Sequence, residues 1–269
     1  MGALALIFTA AMLVPPATLP CAKEAKLSAL VVEVRSADYR GDRAALARLD
    51  QMLGELDDER LAEYRDYWRG FARWRRAQNG FNETPTPADL VADLDLAVGH
   101  FKASLVRRPD WVEAKLAMVG CWGNLAYLAG GDTEKKKAIL AELLPAYKWL
   151  EANGQDNPRA LWIIGGMQFA APPPYGGDFA RAAATLRRGV ALSWPAAGAA
   201  PEVPAWSPSW GGPENLMNLA YMYAHVPTPD RAAALAYAEG AVTAVPEWHY
   251  VRDILLPQIE ALPVAVAAR

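Results

Sequence analysis

Three histidines, His100, His225 and His249, are all the imidazole the chain carries. None stands in a string that builds a metal shell, such as two histidines at helical spacing with a glutamate. His249 and Asp253 are four residues apart, the spacing of a helical surface pair, and two ligands make only half of the usual shell. The glycine pairs at 130–131, 176–177 and 211–212 read as turns, without the lysine-serine ending of a phosphate-cradling loop. No serine sits between the flanking glycines of a nucleophile elbow. The expectation is a non-enzymatic protein with no cofactor and no metal, and an enzyme of unknown type ranks behind it.

Two residue groups point to binding instead. Arg65, Arg69, Arg73 and Arg76 share one side of a helix, and four guanidinium groups so placed could hold a phosphate, a sulfate or an acidic peptide. The plainer expectation is a solvated face partly neutralised by Glu63 and Asp66. Tyr175, Trp206 and Trp210 stand in proline-rich segments where no helical periodicity assigns them to a core. Such loops either bind a ligand or fold back as caps. The first alternative places the segment 195–212 and Tyr175 together as one wall of a site.

The elements that would position these groups are helices. Arg60 to Gln78 carries Leu61, Tyr64, Tyr67, Trp68, Phe71 and Trp74 on one stripe, with the arginines on another face. Proline, glycine and acidic residues punctuate the chain. Asn157 with Pro158, and Asp178, open helices; Pro109, Pro172 to Pro174 and Gly154 close them; Pro145 should kink the helix from Thr133 to Asn153. A final helix is expected from Pro246 to about Leu262.

A repeated pattern sets the architecture. Ala97, Phe101, Ser104 and Pro109 have the spacing alanine, large residue, small residue, proline; Ala234, Ala238, Ala241 and Pro246 repeat it, and Ala182, Leu186 and Gly189 match three of its places. This resembles the second helix of a tetratricopeptide repeat, in which small residues let helices approach and proline ends the unit. The end prolines are farther apart than the roughly 34 residues of the standard unit, so inserted loops are expected. The resemblance covers about residues 60–262. It implies an all-α, right-handed α-solenoid of about four TPR-like helical hairpins with capping helices, in one domain over 23–269. It also implies a groove lined by first helices and presented to a protein or peptide, with Asn124, Asn215 and Asn218 among its polar side chains. A carrier enclosing a small apolar molecule or lipid is the alternative.

Composition narrows the setting. A formal charge of −3 over 269 residues gives no global basic field for nucleic acid. Residues 3–14, ALALIFTAAMLV, are too short to span a bilayer but have the length of a signal-peptide core, and the first charge follows at Lys23. Residues 1–22 are therefore expected to be a signal peptide, with the remainder periplasmic or secreted and without an integral span. The lesser alternative is a lipid anchor at Cys21, whose preceding Thr18-Leu19-Pro20 matches a lipoprotein signal poorly. Cys121 is expected to be a buried small hydrophobe.

Overall fold

A computed structural model describes residues 21–83, 89–194 and 203–263. Among these the chain is helical, with no strand. The helices are α1 (Ala22–Tyr39), α2 (Arg43–Gly54), α3 (Ala62–Gly80), α4 (Leu90–Arg107), α5 (Val112–Leu128), α6 (Thr133–Asn153), α7 (Pro158–Ala170), α8 (Phe179–Ser193), α9 (Gly212–Ala224), α10 (Arg231–Ala244) and α11 (Leu256–Glu260). The expected leader falls almost wholly outside the described residues, and Cys21 is exposed at the start of α1.

The helix starts follow from side-chain chemistry. Asp42, Asp132, Asp178 and Asp230 each accept a hydrogen bond from the backbone N–H three residues on, and Asn157 accepts from Arg159 and Ala160. Each satisfies a donor that the first helical turn would otherwise leave unpaired. Helix α6 runs unbroken through Pro145. The last expected helix differs: Pro246 to Trp248 form a turn, a π-helical turn spans Tyr250–Leu255, and only then does α11 begin.

Consecutive helices pack on one another, and the odd-numbered ones also pack in succession, α1 on α3, α3 on α5, α5 on α7 and α7 on α9. The small residues of the repeated pattern sit at these contacts: Ala97, Phe101 and Ser104 of α4, Ala182, Leu186 and Gly189 of α8, and Ala234, Ala238 and Ala241 of α10 are all buried. A Cβ added at Gly189 would run into the Asn215 carboxamide, so only glycine lets α8 approach α9 this closely.

The two ends of the array meet. The Tyr39 ring packs edge-on against Trp248 at 5.2 Å, the Tyr39 hydroxyl donates to Glu214 Oε1 at 2.8 Å, and His249 lies against Gly41. Trp248 is fully enclosed as a result. Burying two large aromatic side chains this way supplies several kilocalories, on the order of 2–3 kcal/mol each, to closure.

Candidate binding cleft

The face made by the odd-numbered helices is largely filled by the chain's own segment 203–211. Trp210 is only 2 % exposed. Its ring meets Trp162, Trp74 and Phe71, and its indole N–H donates to the Tyr67 hydroxyl at 3.1 Å. Its carbonyl accepts from Arg159 Nη1 at 3.0 Å, and Arg159 is itself held by both oxygens of buried Glu113 at 2.7 Å. The Trp206 carbonyl accepts from Trp68 Nε1 at 2.7 Å, and its ring lies near Tyr64. Gly211, at φ +118°, turns the chain from this plug into α9, a conformation that strains residues with a side chain.

The aromatic wall expected from Tyr175, Trp206 and Trp210 therefore does not form as such. Trp210 is core, because an indole gains most when its apolar area is buried and its one N–H is paired. Trp206 packs partly buried against the same core. Tyr175 is 82 % exposed in the turn between α7 and α8 and pairs with neither ring. The segment does border a broad cleft of about 780 Å³ with Arg108, Trp111 and Trp194; residues 195–202 of the expected wall lie outside the described residues.

What the plug leaves open on the odd-helix face is a cleft of about 380 Å³. It is lined by Arg75, Gln78 and Asn79 of α3, Asn124 of α5, Trp162 of α7, and Met217, Asn218 and Tyr221 of α9. Phe81 and Asn82 also line it, as do Trp248 and Tyr250, brought there by the turn and π-helical turn after Pro246. Burial pushes the Tyr250 phenol up to about 12, with neighbouring Tyr221 adding to the effect, so it stays a neutral hydroxyl.

The charge in the cleft is internally matched. Burial disfavours the Arg75 guanidinium, but contact with Asp38 at 2.7 Å, aided by Glu214, outweighs that cost and holds it charged above its ordinary range. Asn79 Nδ2 donates to both the carboxylate and the carbonyl of Asp38. Arg75 also spans the Trp162 ring, 5.7 Å from its centroid.

Of the three asparagines expected at a groove, the cleft brings together Asn124 and Asn218. Asn215 is enclosed instead: its amide donates to the carbonyls of Pro158 and Gly211, fastening α9 to α7. An asparagine buried at a helix contact stays there only with its donors paired, which these carbonyls achieve.

The arginine stripe faces neither free anion nor plain solvent. Arg69 and Arg73 both donate to Asp50 of α2, at 2.8 and 2.7 Å; Arg73 also reaches Asp93 of α4 at 3.2 Å. Arg76 pairs with Asp93 and with Asp89, at 2.6 Å for the latter, while Arg65 holds Asp66 at 3.0 Å. Asp50, Asp66 and Asp93 are buried. The stripe is thus a ladder of ion pairs between α2, α3 and α4, and its carboxylates occupy the positions an anion would need. Among the described residues Glu63 pairs with Arg108, at 3.6 Å, and with none of the four stripe arginines.

No group of three or more His, Cys, Asp or Glu is arranged to hold a metal among the described residues; His249 and Asp253 form a two-residue surface pair at 2.8 Å. Cys121 is buried, and that burial pushes its thiol well up. Of the twelve residues lining the cleft, the sequence places only Asn124 and Asn218 at a site; Arg75, Gln78, Trp248 and Tyr250 are among those missed. Gln78 carried a signal: it continues the stripe Tyr67, Phe71, Trp74 by one further turn, a polar end to an aromatic row. No family model matches the chain, and neither a curated relative nor a solved structure matches it.

Proposed function

We propose that the chain is a non-enzymatic binding or scaffold protein, an α-solenoid of TPR-like hairpins that presents its odd-helix face to a protein or peptide partner. The alternating contacts of odd-numbered helices and the small residues buried between hairpins support the repeat reading. The observation that carries the function is the cleft itself, where the carboxamides of Asn124 and Asn218 face a common space with Trp162, Tyr221 and Tyr250. Amides beside aromatic rings suit a peptide, whose backbone hydrogen-bonds and whose side chains stack. Export to the periplasm or beyond, from the apolar run at 3–14, belongs to the same proposal; no helix among the described residues is long and apolar enough to cross a membrane.

Panning a library of end-blocked random peptides on the protein tests this reading. Enriched sequences should bind wild type and lose about fivefold or more in affinity on Asn218→Ala, on the order of one lost buried hydrogen bond or more. Absence of enrichment, or enrichment indifferent to cleft substitutions, contradicts it.

A second reading, the carrier, rests on a different place. Leu105, Met118, Trp122, Pro145 and Trp149 line an apolar hollow of about 290 Å³ between α4, α5 and α6, with Lys115 Nζ 3.6 Å from the centre of the Trp149 ring. Lipid extraction of protein purified from its own envelope tests it.

A further inference from the structure

The cleft has a hydrogen-bonding direction, and that direction follows from which partners its carboxamides already have. Trp74 Nε1 lies 3.3 Å from the Asn124 side chain. An indole N–H only donates, so the atom facing it is Asn124 Oδ1, and the Nδ2 hydrogens are turned away. Gln78 is fixed in the same way: Arg75 Nη1 donates to its Oε1, and a guanidinium has no acceptor, so Gln78 Nε2 is the free end. At Asn218 the logic inverts. Asn218 Nδ2 faces the Trp162 carbonyl at 3.5 Å, a group that only accepts, and Oδ1 is the end left over. All three residues line the cleft, and none of the three free ends is sealed in the interior without a partner.

Resting on the peptide-binding reading, we infer that the cleft takes one neutral trans secondary amide, with its carbonyl toward Gln78 and Asn124 and its N–H toward Asn218. A trans peptide unit carries one acceptor and one donor on opposite sides, and so can answer two amide donors and a separate amide acceptor that line the same cleft. Charge argues for an internal peptide bond over a terminal carboxylate. Arg75, the one ionised side chain lining the cleft among the described residues, is already matched by Asp38 in contact and Glu214 nearby. A further carboxylate would enter without a counter-charge and lose hydration for no compensating pair.

Three probes differing only at this group separate the possibilities: the N-methylamide, the N,N-dimethylamide and the free carboxylate of 3-(4-hydroxyphenyl)propionic acid. Binding is read from the side-chain carboxamide signals of Gln78, Asn124 and Asn218 in ¹⁵N–¹H spectra. The blocked amide should bind tightest, with the methylated probe about threefold weaker and the carboxylate about fivefold weaker or more. Gln78→Glu and Asn124→Asp keep the oxygens that Arg75 and Trp74 use, so both should fold, and each should weaken the blocked amide about tenfold. Asn218→Ala should erase the difference between the blocked amide and its methylated form. Preference for the carboxylate, or tighter binding by Gln78→Glu, overturns the inferred direction and leaves the peptide reading standing. Failure of all three probes and of a library of end-blocked peptides to move any cleft signal overturns both.

Discussion

Helix α3 carries two polar surfaces that end in opposite conditions. On one, Arg65, Arg69, Arg73 and Arg76 are spent on Asp66, Asp50, Asp93 and Asp89. On the other, Gln78 keeps a free amide end beside Asn124, in an open cleft. The charged surface attracts attention in the sequence and proves closed; the uncharged one is quiet in the sequence and remains open. The difference has a physical source. Ionised groups brought near a core must be paired or bear a desolvation cost of several kilocalories, so packing recruits counter-ions for them. A carboxamide half-satisfied at a cleft edge costs little, because water completes its shell until a ligand displaces it.

Both surfaces stand on the same aromatic core, so the largest expected effect removes them together. Trp210→Ala deletes the ring that packs on Trp74 and Trp162, and should cost about 3–5 kcal/mol in denaturant unfolding. A loss under about 1 kcal/mol would show that the segment 203–211 is a detachable loop. Next in size, Asp93→Ala strips the buried carboxylate shared by Arg73 and Arg76 and should cost about 2–4 kcal/mol, while affinity of the cleft for an end-blocked peptide stays unchanged. Coupled loss of binding would mean that the two faces are not independent.

Packing between hairpins gives a smaller effect away from both faces. Ala182→Leu and Ala234→Leu overfill buried contacts and should each cost on the order of 1–3 kcal/mol, against almost nothing for exposed Lys136→Ala. Equal losses at all three positions in denaturant melts would contradict the assigned contacts.

Acid should act on the ladder in two stages. Burial, with Arg69 beside it, lowers the His100 pKa below its ordinary value. On acidification from about pH 6.5 the unfolded chain takes up a proton that the folded one refuses, so stability falls as pH falls. Asp89, held below the usual carboxylate range by its hydrogen bond to Arg43, adds stability above about pH 4 that is lost below it. Asp89 is partly exposed, so its share is small. His100→Asn should remove the first stage and leave the second in urea melts across pH 3–8; an unaltered first stage would assign it elsewhere.

The helices were legible because their signals are local. Apolar stripes with the caps Asn157 and Asp178 mark starts and faces from sequence alone. Trp210 was not legible: a tryptophan among prolines has no periodicity, and its place depends on partners such as Tyr67, 143 residues away in sequence. The arginines were seen without their partners for the same reason, since Asp50 and Asp93 come from neighbouring helices. Two of three asparagines reached the cleft; Asn215 did not, because helix spacing alone does not show which turn of α9 lies against α7. Tyr250 reached the cleft through a π-helical turn, a register shift that a 3.6-residue pattern does not contain.

One ¹⁵N–¹H experiment addresses the contrast directly, by following the carboxamide signals of Gln78, Asn124 and Asn218 together with the Nε–H signals of Arg69 and Arg73 during two titrations. With an end-blocked peptide selected from the library, the carboxamides should shift in a saturable way while the arginine signals stay fixed. With inorganic phosphate at millimolar concentration and constant ionic strength, neither set should move. Saturable arginine shifts with phosphate, together with unmoved carboxamides under peptide, would show that the charged face is the open one and would contradict the account.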